Sequence, residues 1–283
     1  MSAIVCLLVI NQIEELPEMA ISSILENCSE DIVVGYLKEG DIRDLPRHSR
    51  VSYLNLSDEI DELGAAADVL LDKRDYVTFD QDLFFYLVQV KWLLFRRLLE
   101  THEVVIYSDL DVLWLDDVSD DVHRTFQEWP NVHTLVQDFT FHSREPKLCM
   151  GLFAIRRSNF SIRLIQKCAE IHAEGFESKK KFSDDDAISA FYRMSNNASK
   201  ILRLPNQSYP VGNLLNILLP VSIVRGLRPP KPLIYHANFV VGWRKKAMLM
   251  RFVQLRLSPD LQALVKFFAS FLRVGFEYLS RKL

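Results

Sequence analysis

Residues 104–115 read Val-Val-Ile-Tyr-Ser-Asp-Leu-Asp-Val-Leu-Trp-Leu, and this stretch decides the reading of the chain. Val104 to Tyr107 is an apolar run of the kind that forms a buried strand, here expected over Val104 to Asp109. Asp109 and Asp111 follow at spacing i, i+2, which on an extended chain projects both carboxylates from one face. Two hard oxygen donors meeting at a strand end suit Mg²⁺ or Mn²⁺ shared with a substrate's phosphates. The carboxyl ends of strands are also where α/β sheets bind ligands. A solvated turn is the plainer account of an isolated Asp-x-Asp, because the chain holds 37 Asp and Glu residues. The buried-type strand and the amphipathic helix before it weigh for metal and diphosphate.

Outward from this strand, short apolar runs alternate with helical stretches. Strands are expected at Ala3 to Ile10 (ending at Asn11), Ile32 to Leu37, Val51 to Leu56, His133 to Asp138 and Leu152 to Ile155. Helices are expected at Leu16 to Asn27, Phe79 to Leu99, Ser158 to Ala173 and Ala187 to Met194. The alternation predicts βαβ units and a mainly parallel sheet. Gly175 to Ser183 reads as a flexible loop and Leu204 to Pro232 as irregular. Asp184-Asp185-Asp186 precedes a helix, so capping is the plain explanation of that cluster.

The chain has 283 residues, 49% hydrophobic and 25% charged, which allows one large domain or two small ones with a sizeable core. A formal charge of −3 argues against nonspecific nucleic-acid binding. From Arg244 onward, nine Lys/Arg face two Asp/Glu, so the basic residues gather at one end. Cys6, Cys28, Cys149 and Cys168 lack metal-binding spacing and read as small buried hydrophobes. Ser2 to Ile10 is too short to span a bilayer and lacks a signal peptide's basic flank and cleavage site. A cytoplasmic location is expected, with a Golgi lumen as the alternative if an anchor lies upstream. Five Asn-x-Ser sequons, at Asn27, Asn55, Asn159, Asn197 and Asn206, would matter only in such a lumen.

Four segments, in order, resemble the retaining GT-A glycosyltransferases. Specifically, they resemble the nucleotide-diphospho-sugar transferase family that includes plant arabinosyl-, xylosyl- and galactosyltransferases. Lys91 before Tyr107-Ser108-Asp109-Leu110-Asp111-Val112-Leu113-Trp114-Leu115 looks like the family's lysine helix and "YSDxDVxWL" strand. Cys149-Met150-Gly151 through Arg156 is similar to its "N-x-G-x-x-x-x-R". Asp184-Asp185-Asp186-Ala187-Ile188-Ser189 resembles "DQxxxN". His236-Ala237-Asn238 with Gly242 and Lys245-Lys246 resembles "HxN…G…K". The chain departs from the pattern at Cys149, Asp185 and Ser189, where the family usually has asparagine, glutamine and asparagine.

The resemblance implies an α/β GT-A (Rossmann-like) domain over 1–246 with a C-terminal amphipathic, basic helical extension over 247–283. It implies a metal, Mn²⁺ or Mg²⁺, held by Asp109, Asp111 and His236; imidazole beside carboxylates favours Mn²⁺. Asn11, Lys91, Asp109, Asp138, Gly151, Asn238 and Gly242 would bind the nucleotide sugar. Asp184, Asp185 and Lys245 or Lys246 would be catalytic, the carboxylates at the sugar and an ammonium at the leaving diphosphate. The donor would be a nucleotide sugar, expected to be UDP-linked, and the acceptor a glycan, glycolipid or protein. Spacing alone does not choose between the two lysines.

Two other readings compete. A haloacid-dehalogenase-type phosphohydrolase also places Asp-x-Asp after an apolar strand, but wants threonine or valine where this chain has Leu113. A non-catalytic sugar-nucleotide-binding relative would account for the three departures. At the C-terminus, Pro259 to Leu279 forms an amphipathic pattern with Lys266, Arg273, Arg281 and Lys282 nearby. Such a helix either packs on the catalytic domain or lies on an anionic membrane as a peripheral contact.

Overall fold

The structure is a computed structural model and describes residues 2–10, 15–58, 89–140, 145–177, 182–194, 197–211, 232–238 and 243–257. Nine strands are described: β1 Ala3–Val9, β2 Ile32–Tyr36, β3 Val51–Asn55, β4 Val104–Ser108, β5 Val112–Trp114, β6 Thr134–Asp138, β7 Leu148–Arg156, β8 Ile201–Leu204 and β9 Ile234–His236. Six α-helices are described: α1 Leu16–Asn27, α2 Val90–Leu99, α3 Val118–Glu128, α4 Asn159–Glu177, α5 Asp184–Arg193 and α6 Trp243–Leu257.

Seven strands form one sheet in the order β3-β2-β1-β4-β7-β6-β8, and β5 pairs with β9 in a second, two-stranded sheet. β3, β2, β1 and β4 run parallel, β7 runs antiparallel between β4 and β6, and β8 is parallel to β6. The mainly parallel sheet follows from the βαβ alternation. The reversed β7 does not, because a buried strand shows the same apolar run in either direction.

Alternation along β1 builds the layers. Ile4, Cys6 and Leu8 face one core with Leu94, Phe95 and Leu98 of α2, Leu164 and Cys168 of α4, and Ile188 of α5. Val5, Leu7 and Val9 face the other with Ala20, Ile21 and Ile24 of α1 and Val118, Val122 and Phe126 of α3. The sheet is therefore covered on both sides, as a fully apolar β1 requires. The β5–β9 pair makes a third cluster, in which Leu113, Tyr235 and Ala237 pack with Leu16 of α1 and Ala247, Met250 and Val253 of α6.

Several expectations change. Asp109 and Asp111 do not sit on the strand. β4 ends at Ser108, and the Val112 N–H donates to the Asp109 carbonyl at 3.1 Å, so the chain turns there before β5. The expected loop from Gly175 is shortened from both ends, since α4 continues to Glu177 and Ser183 caps α5. Helix α3, with its Asp117 cap, and the short strands β5, β8 and β9 were not expected. Residues 79–88 of the expected lysine helix, and the amphipathic segment 259–279, lie outside the described residues. All four cysteines are buried and unpaired by disulfide. No helix among the described residues is long and apolar enough to cross a membrane.

Candidate active site

The turn after β4 gathers side chains from across the chain. Antiparallel pairing of β5 and β9 sets His236 opposite Val112, and the Ala237 N–H donates to the Asp111 carbonyl at 2.8 Å. That register carries the imidazole to the carboxylate, with Nε2 3.3 Å from Asp111 Oδ1. Lys246, one turn into α6, sets its ammonium 2.5 Å from Asp111 Oδ2. Burial alone would raise the Asp111 pKa, but Lys246 and then His236 outweigh it and hold the carboxyl well below the usual carboxylate range. One ligand atom each from Asp109, Asp111 and His236 lies within 4.8 Å of the others, a group that could hold a metal ion. Two carboxylates and an imidazole are a donor set suited to a divalent first-row ion.

Gly151 is what lets His236 fit. A Cβ on residue 151 would stand 2.0 Å from His236 Cε1 and 2.7 Å from Nε2. The imidazole therefore lies against bare backbone. The Gly151 carbonyl also accepts the Asp109 N–H at 2.7 Å, so one residue of β7 locates two members of the triad.

On the other side of Asp109 lies a buried ionic cluster. Lys91 Nζ is 3.0 Å from Asp109 Oδ1 and 2.6 Å from Asp184 Oδ2, and 4.8 Å from the Tyr107 ring centroid. Lys91 is buried rather than on a solvated helix face. Burial by itself would strip its proton, but Asp109 and Asp184 win and hold its pKa well above the ordinary lysine value. The Tyr107 hydroxyl donates to Asp109 Oδ1 at 2.7 Å. Burial first, then Asp109, push that phenol well above its usual range, which keeps it a donor.

The three aspartates at α5 divide their work. Capping belongs to Ser183 and Asp186: Ser183 Oγ accepts the Asp186 N–H at 3.2 Å, and Asp186 Oδ2 accepts the Ser183 N–H at 3.1 Å. Asp184 is thereby free to pair with Lys91. Asp185 Oδ1 accepts the Met150 N–H at 2.6 Å, and Ser189 Oγ accepts the Leu148 N–H at 3.0 Å. Burial, then neighbouring Asp184, hold the Asp185 carboxyl well above its ordinary range.

Cys149 Sγ meets the Asn238 side-chain amide at 3.5 Å. Burial first, and then Asp185, push its thiol well upward, so it is not a thiolate at neutral pH. Asp138 is not drawn into this assembly; its partners are Arg203 at 3.2 Å and Thr140. Its neighbour Gln137 is drawn in, and it was missed by the sequence reading. Gln137 Oε1 lies 3.1 Å from His236 Nδ1 and accepts the Leu152 N–H at 2.8 Å. The available signal was a buried polar residue after the apolar Leu135-Val136. Lys245 is exposed on α6, while Asn11 and Gly242 lie outside the described residues.

The model of the nucleotide-diphospho-sugar transferase family matches residues 61–250. The chain belongs to this family. It is an enzyme, a glycosyltransferase, and the phosphohydrolase reading falls. No curated protein matches it as a relative by sequence. Among solved structures, the galactosyltransferase LgtC, in complex with donor and acceptor sugar analogs, is similar with a TM-score of 0.53 at 12% identity, over 83% of this chain and 87% of LgtC. The glycosyltransferase GlyE of Streptococcus pneumoniae gives 0.52 at 14% identity, over 95% of this chain and 63% of GlyE. Mouse xyloside xylosyltransferase 1, in its apo form, gives 0.49 at 12% identity, over 84% of this chain and 98% of that one. The LgtC and GlyE likenesses agree with this transferase having the GT-A fold.

Proposed function

We propose that this transferase moves a sugar from a UDP-sugar to a glycan, glycolipid or protein acceptor, with retention of anomeric configuration and with Mn²⁺ at Asp109, Asp111 and His236. The observation that carries this reading is the convergence of those three side chains beyond the carboxyl end of β4. Donor oxygens at a strand end beside a buried lysine suit a diphosphate shared with an ion.

The divalent ion, when bound, would supply Lewis-acid stabilisation to phosphate oxygens. The chain's own groups do the rest. Lys246, against Asp111, brings a second positive charge to the side where the diphosphate leaves, and charge fixed in advance of the reaction lowers the barrier. Lys91 sets one positive charge between Asp109 and Asp184, which offsets part of the repulsion between the two carboxylates. Asp184 and Asp185 supply oxygens on that side for sugar hydroxyls or for an oxocarbenium-like centre. Asp185 and Ser189, though departures from the family pattern, each satisfy a backbone N–H of β7 and leave the local structure intact.

The test is a panel of UDP-sugars incubated with and without Mn²⁺, followed by proton NMR of the anomeric signal of the product. Mn²⁺-dependent release of UDP and an α-linked product from an α-linked donor support the proposal. A β-linked product overturns retention. Binding of UDP and Mn²⁺ without turnover of any donor would favour the non-catalytic relative.

A further inference from the structure

We propose that Gln137 is a positioning residue that selects the tautomer of His236 and so presents Nε2 as a metal ligand; this rests on the metal reading above. The Leu152 N–H can only donate, so the Gln137 atom 2.8 Å from it is the amide oxygen and not the amide nitrogen. That oxygen also faces His236 Nδ1 at 3.1 Å. Oxygen in a carboxamide only accepts, so Nδ1 carries the proton. Nε2 faces Asp111 Oδ1 at 3.3 Å, likewise an acceptor, so the ring can donate on both sides; when it is a neutral ligand, the Gln137 contact keeps the proton on Nδ1 and leaves the lone pair on Nε2. The orientation of one backbone amide is passed through Gln137 to the ring.

Two further features support a role in positioning. The β6–β7 register breaks between Val136 and Gln137, so that Val136 pairs with Phe153 and Gln137 with Cys149. This irregularity aims Gln137 at the site, as bulges beside active sites do. Gln137 is fully buried, yet its Nε2 has no hydrogen-bond partner among the described residues. An orphaned buried donor is costly, and here it accompanies an oxygen that meets both the Leu152 N–H and His236 Nδ1. The oxygen is the part of this side chain that the site uses. Partners of this kind fix ring orientation at metal sites, and their loss typically weakens metal binding roughly 10- to 100-fold.

Three measurements test this. In metal-free wild-type protein at alkaline pH, nitrogen–proton correlation spectra of the His236 ring, assigned by their loss in His236→Gln, are expected to show the Nδ1–H form. The Nε2–H form would overturn the proposal. Mn²⁺ affinity, read from the paramagnetic resonance signal of free aqueous Mn²⁺, is expected to fall roughly 10- to 100-fold in Gln137→Met. In Gln137→Glu, which keeps the acceptor, it should stay within about threefold. A purely structural role predicts a lower melting temperature for Gln137→Met with unchanged Mn²⁺ affinity in the cold, and that result refutes the proposal. If Gln137→Met does not fold, a folded Gln137→Glu that binds Mn²⁺ more than about tenfold more weakly refutes it equally. Wild-type protein that binds no Mn²⁺ sinks the metal reading, while the tautomer spectrum still judges Gln137 by itself.

Discussion

At position 151 a methyl group and the His236 imidazole cannot coexist. The 2.0 Å separation between a built Cβ and His236 Cε1 leaves the ring no option but to move. Gly151→Ala is expected to abolish measurable Mn²⁺ binding and to destabilise the fold by about 1–3 kcal/mol, the usual range for overpacking. Calorimetric titration and thermal melting of the same sample check both halves. Lys91 offers the opposite experiment, removal instead of insertion. Lys91→Met leaves buried Asp184 and partly exposed Asp109 without their shared cation; breaking a buried pair typically costs about 3–5 kcal/mol, and the exposure of Asp109 puts the expected loss at the lower end. Denaturant unfolding at neutral pH checks this, and a loss below about 1 kcal/mol would mark the pair as solvent-screened. The lysine also shows where residue-level reading stops. A lone lysine on a helix looks the same in sequence whether it meets water or two carboxylates, and its partner Asp184 lies 93 positions away.

Helix α5 works as a clamp on β7. Its first turn presents Asp185 to the Met150 N–H, its second presents Ser189 to the Leu148 N–H, and its capping box keeps the helix start in register. The pH dependence of Asp185 follows from its raised pKa. Between the ordinary carboxylate value and that raised value the folded state holds more protons than the unfolded one, so stability falls as pH rises through this window. Asp185→Asn keeps an oxygen for Met150 and removes the buried charge. It should therefore raise the melting temperature of metal-free protein at neutral pH and lose this advantage below the ordinary carboxylate range. Melts across pH check the crossover; an equal gain at acid pH would show that charge is not the cause. Element-level signals were uneven. The apolar run of β4 and the helix expected from Ala187 could be read directly, because local pattern decides them, although β4 stops at Ser108 and α5 starts at Asp184. The pairing of β5 with β9 could not, because three-residue strands carry no period and the register joins Val112 to a residue more than a hundred positions on.

At the scale of the whole molecule, the sheet and its two helical layers bring distant segments to one end. The carboxyl end of β4 supplies Asp109 and Asp111, β7 supplies Gly151, β9 supplies His236, and α2, α5 and α6 supply Lys91, Asp184 and Lys246. The parallel sheet was legible from βαβ alternation, Asp109 and Asp111 from their spacing after an apolar run, and His236 through family resemblance. The reversed β7, the Gln137 contact and the separation of Asp138 from the triad were not, since each depends on which residues the register aligns. In the proposed function the triad joins the nucleotide through a shared ion. Titration calorimetry of UDP into wild-type protein and Asp111→Asn, with and without Mn²⁺, tests it most directly. The predicted result is UDP binding by the wild type only when Mn²⁺ is present, and none by the variant under either condition, with the variant still folded by melting. Equal UDP affinity with and without Mn²⁺ in the wild type, or unchanged Mn²⁺-dependent affinity in Asp111→Asn, would contradict it.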